Sequence, residues 1–131
     1  MESTGQHKII ETTTSKIWKD SNGIIHIIKK PRSVEELNDA KENIKTIMEL
    51  TGGESHPAYV DLTCLRSQQN EAIEYYGKMA KSAKCFACAF LIGNMHSTAI
   101  GISNIRHGDP EIKSALFTDK IQAIDWLKKY L

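Results

Sequence analysis

Tyr59-Val60-Asp61-Leu62-Thr63 is a short apolar run ended by polar groups, and it starts an alternation that continues to Leu131. Residues 86–92 and 112–117 are two further strand-like runs, and a segment with helical spacing of apolar residues follows each of the three. Such strand–helix alternation specifies a parallel α/β sheet. The run over residues 84–92 is the most apolar and reads as a central strand. Ser67 reads as the N-cap of the first helix, which carries Ala72, Ile73, Tyr76, Met79, Ala80 and Ala83 on one side. Gly93-Asn94 opens the second, with Met95, Ala99, Ile102 and Ile105 inward and Gly108-Asp109-Pro110 closing it. Thr118 reads as the cap of the last helix, whose inner stripe is Ile121, Ile124, Leu127 and Leu131 with Trp126 beside it. Asp119 in its first turn and Lys128 and Lys129 in its last suit the helix dipole.

The first half adds a hairpin and one more helix. Residues 7–12 and 15–19 read as strands, Asp20-Ser21-Asn22-Gly23 as a turn, and residues 24–28 as the returning strand. Four isoleucines surround His26 there, so both faces of that strand should be covered. Ser33-Val34-Glu35-Glu36 has the pattern of a capping box, with Ser33 accepting from the Glu36 amide. Val34, Leu37, Ala40, Ile44, Ile47, Met48 and Thr51 then share a helical face, and Gly52-Gly53 ends it in a left-handed C-cap. The expected fold is a single α/β domain over residues 1–131, with a mixed sheet of about six strands and four helices.

Composition narrows the function classes. The chain has 131 residues, 40% of them apolar and 25% charged, which is ordinary globular usage. That length can bury roughly two-thirds of the unfolded chain's surface without disulfide staples. A formal net charge of +1 provides no global field for nucleic acid or anionic membrane. No apolar run approaches the ~20 residues of a membrane span, and the first residues lack the pattern of a secretory signal. Three cysteines do not suggest a secreted disulfide framework. Cytoplasmic location is the expectation.

Several motifs invite chemistry. Cys85-Phe86-Ala87-Cys88 is formally a C-x-x-C, but residues i and i+3 of a strand point to opposite faces, so the pair reads as two small core residues. His7, His26, His56, His96 and His107 are scattered and form no metal-binding spacing. No cofactor or metal is expected. No catalytic constellation appears, so an enzyme is not expected either. Ser67 lies just past the carboxyl end of a parallel strand, where open α/β sheets bind ligands. It reads first as a helix cap and second as a phosphorylation site. Asp61, Thr63 and Arg66 lie close to it in sequence. Gly93, Asn94, His96 and Ser97 form a second stretch that the topology should bring to the same edge. These eight residues are the expected partner- or ligand-binding edge. Tyr76 and Met79 read as core, and Tyr75 as a flanking residue suited to a dimer contact.

The order of elements resembles the STAS-like and Sec14-like small α/β superfamily, which includes bacterial anti-sigma-factor antagonists. Tyr59-Val60-Asp61-Leu62-Thr63 is similar to the family strand that ends in Asp-Leu-Ser/Thr. A set of uncharacterised bacterial STAS/Sec14-domain proteins is more similar still. It shares the Ala-rich strand Ala87-Cys88-Ala89-Phe90-Leu91-Ile92 and the stretch Gly93-Asn94-Met95-His96-Ser97. It also shares the ending Leu116-Phe117-Thr118-Asp119 to Ala123-Ile124-Asp125-Trp126-Leu127. The resemblance implies a non-enzymatic regulatory or protein-interaction module. In the antagonists a serine after the corresponding strand is phosphorylated by a partner kinase, and Ser67 sits near that place. Sec14-like relatives imply the alternative, a small-ligand or lipid-binding protein with an apolar pocket between a helix and the sheet. A homodimer through the outer hairpin strand is also expected, unless Lys8, Lys16 and Lys19 defend that edge.

Overall fold

The structure is a computed structural model and describes residues 8–131. The hairpin forms as its sequence dictates. Strands β2 (Ser15–Lys19) and β3 (Ile25–Lys29) pair antiparallel, and Gly23 takes φ 88° at the turn. The Asp20 carboxylate holds that turn by accepting from the Asn22 and Ile24 amides at 2.8 and 3.0 Å. β1 (Ile10–Glu11) is only two residues long, and the expected strand's start at His7 lies outside the described residues. Ile24, Ile25, His26 and Ile27 are all buried, which bears out the covered strand.

β5 (His56–Asp61), β7 (Cys85–Leu91) and β8 (Lys113–Phe117) join β3 in parallel, giving the order β1-β2-β3-β5-β7-β8. Each parallel step moves the chain one strand in the same direction. With right-handed crossovers, all three connecting helices must therefore lie on one face. They do: α1 (Leu37–Thr51) and α3 (Met95–Arg106) pack a core with Ile17, Ile27, Val60, Leu62 and Phe90, and α2 (Asn70–Met79) contacts both helices. The terminal helix α4 (Lys120–Lys128) has no further strand to reach. It folds back over the opposite face, burying Ala123 and Leu127 against Tyr59, Ala87 and Ala89.

Four local expectations need correction. Ser33 does not cap α1. Val34–Glu35 instead forms strand β4, paired in parallel with β6 (Ser67–Gln68), and the capping box is made by Glu36 and Asp39. That same ladder takes Ser67 out of the cap of α2, where Gln69 stands instead. Asp119, accepting from the Gln122 amide at 3.3 Å, replaces Thr118 as the cap of α4, and Ile121 and Leu131 of its expected stripe are exposed. The inner face of α3 is Ser97, Ile100 and Gly101, whereas Met95 is 90% exposed and Ile102 41%. Gly101 explains this last reversal. A Cβ there would come within 2.7 Å of Leu116 and 3.3 Å of Ile92, so the smallest residue marks the face that closes on the sheet. In α1, Ala40, Ile44, Ile47 and Thr51 are buried as expected, and Gly52 ends the helix at φ 61°. Val34 and Met48 are exposed, and Asn43 occupies the buried face.

Candidate functional site

Two places in the fold gather polar chemistry. The first is the expected carboxyl edge. Asp61 ends β5 and accepts from the Thr63 amide at 2.9 Å and the Thr63 hydroxyl at 2.6 Å. Gly93 lies against Thr63, whose methyl would sit 3.3 Å from a Cβ added there. His96 hydrogen-bonds the Arg66 carbonyl through Nε2, joining the two stretches that the sequence separates. Asn94 caps α3 by accepting from the Ser97 amide at 2.7 Å, and the Ser97 hydroxyl accepts from the Gly93 and Asn94 amides at 2.8 and 3.1 Å. Those amides are thus occupied within the cap, and Ser97 is buried. Ser67 is half-buried, and its amide donates to the Ser33 carbonyl at 3.3 Å. The exposed residues of this edge are Arg66, Gly93, Asn94 and His96, with Met95 beside them.

The second place is a cavity of about 100 Å³ between the α1–α3 layer and the sheet. Ile27, Ile47, Ala58, Val60, Leu62 and Phe90 are among the apolar side chains of its wall. Gly77, Gly108 and Asp109 also line a surface depression, and they mark its mouth. The opposite end is polar. The Lys29 ammonium donates to Glu35 Oε2 at 2.7 Å and to the Tyr76 hydroxyl at 3.1 Å. Thr14 and Asn43 donate to the same carboxylate oxygen at 2.6 and 3.0 Å, and Gln68 donates to the other at 2.9 Å. Asn104 extends the network by donating to Gln68 Oε1 at 2.7 Å. The Lys29 and Glu35 side chains are only 3% and 0% exposed, so this ion pair is desolvated and needs every one of those hydrogen bonds.

Electrostatics within the network follow from burial and pairing. Burial alone would lower the Lys29 pKa, but the Glu35 carboxylate and the Tyr76 hydroxyl outweigh it and push it above the ordinary lysine value. Burial would likewise raise Glu35, and the Lys29 charge with its hydrogen bonds turns the net shift downward. Both groups are therefore charged at neutral pH. Burial pushes the Tyr76 phenol up to about 12, so it stays protonated and donates to Glu35 at 3.1 Å.

The cysteine pair is a further correction. Cys85 and Cys88 line the same cavity, not opposite faces of the sheet. A register shift makes His56 pair with Cys85 and Pro57 with Ala87, leaving Phe86 as an extra residue. Phe86 and Ala87 both turn to the α4 side, so alternation is broken and the two thiols end on one face. Burial raises Cys85 to about 12 and Cys88 well above its ordinary value, which keeps both as protonated, weakly nucleophilic thiols. Among the described residues, no three His, Cys, Asp or Glu side chains form a group able to hold a metal ion.

None of the residues at the polar end belongs to the edge read from the sequence. Asn43, standing at helical spacing between Ala40 and Ile47 on an otherwise apolar face, was the available signal. Lys29 directly after a run of isoleucines was another.

A mixed sheet with this strand order, three helices on one side and one on the other, is a SpoIIAA-like, or STAS-like, fold. An uncharacterised DUF3478-family protein from Shewanella loihica PV-4 with a SpoIIAA-like fold is similar in structure, with a TM-score of 0.60 and 18% identity. The alignment covers 97% of this chain and 99% of that one. At that identity the likeness concerns the fold. The chain belongs to the DUF7793 family, a domain of unknown function whose model matches residues 17–131. No curated protein matches it. No helix among the described residues is long and apolar enough to cross a membrane.

Proposed function

We propose that the chain is a non-enzymatic regulatory module of STAS-like type that works by binding a small, mostly apolar molecule in the cavity between the helix layer and the sheet. The observation that supports this most is the cavity itself, walled by apolar side chains and ending on a desolvated ion pair. Its volume decides the ligand's size. An apolar cavity of roughly 150 Å³ admits benzene, so about 100 Å³ suits a molecule no larger than that and is far too small for a whole lipid. Native mass spectrometry of the freshly purified full chain tests the reading. A retained small adduct that disappears in Cys88→Phe, which fills the cavity, supports it. A bare chain that also takes up no added small apolar molecule overturns it.

A second reading, regulation through a protein partner at the carboxyl edge, draws on a different observation. The His96–Arg66 link joins two separate stretches, and the 90%-exposed Met95 stands beside them. A large apolar side chain that the fold leaves in water is a common anchor for a partner. Co-purification from the source cell with the wild-type chain and a Met95→Asp/His96→Ala variant tests it, and equal recovery of every partner removes the edge. Phosphorylation of Ser67 belongs to this reading, and a source-cell phosphoproteome that never contains it removes that route. A cytoplasmic location goes with both readings.

A further inference from the structure

The polar end of the cavity carries unused hydrogen-bonding capacity. An ammonium has three donors, and Lys29 uses two of them on Glu35 and Tyr76, at 2.7 and 3.1 Å. The third has no hydrogen-bond acceptor among the described residues, although the ammonium lies 4.8 Å from the centre of the Tyr76 ring, and Lys29 is only 4% exposed and lines the cavity. Asn104 also lines it, and its amide nitrogen is taken by Gln68 Oε1 and the Ile100 carbonyl at 2.7 and 2.8 Å. Its carbonyl oxygen accepts nothing from the described residues. A buried donor left without an acceptor is destabilising, the more so when charged, so an acceptor in the cavity would relieve it.

Charge selects further. Lys29 and Glu35 already neutralise one another, and the carboxylate accepts from Thr14, Asn43, Tyr76 and Lys29 at Oε2 and from Gln68 at Oε1. A cationic head would find no free carboxylate there and would face the ammonium. An anionic head would lose its hydration without meeting a net positive charge, and it would pass Asp109 at the mouth. We infer that the cavity selects a small uncharged molecule with an apolar body and one polar atom that accepts a hydrogen bond from Lys29, as an alcohol or a ketone does. This inference rests on the cavity reading above and names the chemistry of its ligand.

Four probes of nearly equal size, titrated into the full chain and followed by NMR, test it: butan-1-ol, n-pentane, butyrate and butylammonium. Butan-1-ol should bind about ten-fold or more tighter than n-pentane, the worth of one hydrogen bond to a charged donor, and tighter still than either ion. Lys29→Met, which removes the proposed donor and leaves Thr14, Asn43, Gln68 and Tyr76 on Glu35, should bind butan-1-ol and n-pentane alike. The ranking in the wild-type chain decides the matter even if that variant does not fold. Equal binding of n-pentane, or stronger binding of butyrate or butylammonium, overturns the inference while leaving a less selective cavity. Binding of none of the four overturns the cavity reading together with it.

Discussion

At the residue scale, the Lys29–Glu35 pair dominates. Its two charges are buried in one network, so removing one strands the other. Lys29→Met should therefore cost about 3–5 kcal/mol, measured by urea unfolding, and Lys29→Met/Glu35→Leu should recover only part of that loss, because Thr14, Asn43, Gln68 and Tyr76 then lose their shared acceptor. The pair also sets a pH signature. The folded pKa of Glu35 is depressed, so its contribution is complete above the unfolded carboxylate value of about 4.3 and is lost as pH falls through the folded one. The folded pKa of Lys29 is raised, so its contribution is complete below the unfolded value of about 10.4 and is lost as pH rises through the folded one. Urea midpoints across pH should thus show wild type and Glu35→Gln converging in acid. A constant gap down to the lowest pH at which the chain folds would contradict this assignment.

At the element scale, close approaches between helices and sheet set the packing. A Cβ on Gly77 would fall 2.0 Å from the backbone carbonyl oxygen of His107, so α2 meets the C-terminal end of α3 at a glycine. Gly77→Ala should destabilise by about 1–3 kcal/mol in thermal or urea unfolding, because a backbone carbonyl cannot step aside. Gly101→Ala should cost less, since the nearest atom is the end of the Leu116 side chain. The elements themselves were legible in the sequence, because apolar periodicity reports which segments have a buried face. Their caps and inward faces were less so. Ser33 and Ser67 both carry cap-forming side chains, yet each is committed to the β4–β6 region by backbone pairing that no local pattern reveals. In α3 the hydrophobic stripe Met95-Ala99-Ile102 faces outward, because proximity at Gly101 outweighs the apolar count.

At the scale of the whole molecule, the two outer strands differ in what they offer another copy. β1 has only two residues, whereas β8 presents five, Lys113–Phe117, along the other edge of the sheet. Dimerisation through the hairpin edge would have to rest on that very short ladder, with Lys16 and Lys19 exposed on the adjacent strand. Light scattering of the full chain reads this directly. A dimer that Glu11→Pro converts to monomer supports pairing through the hairpin, and a monomer at every concentration removes it.

The sequence by itself determined the alternation of strands and helices, the hairpin turn, and the approach of the Asp61–Thr63 and Gly93–His96 stretches at one sheet edge. Those features follow from periodicity, turn chemistry and the handedness of crossovers, all of which act along the chain. Only the tertiary structure decided that Lys29, Glu35, Asn43, Gln68, Tyr76 and Asn104 meet at the end of a cavity, and that Cys85 and Cys88 share its wall. The first set converges from six different elements, and the second depends on a single extra residue in a strand register. Buried polar partners are chosen by desolvation across the fold, and that constraint leaves no periodic trace in the order of residues.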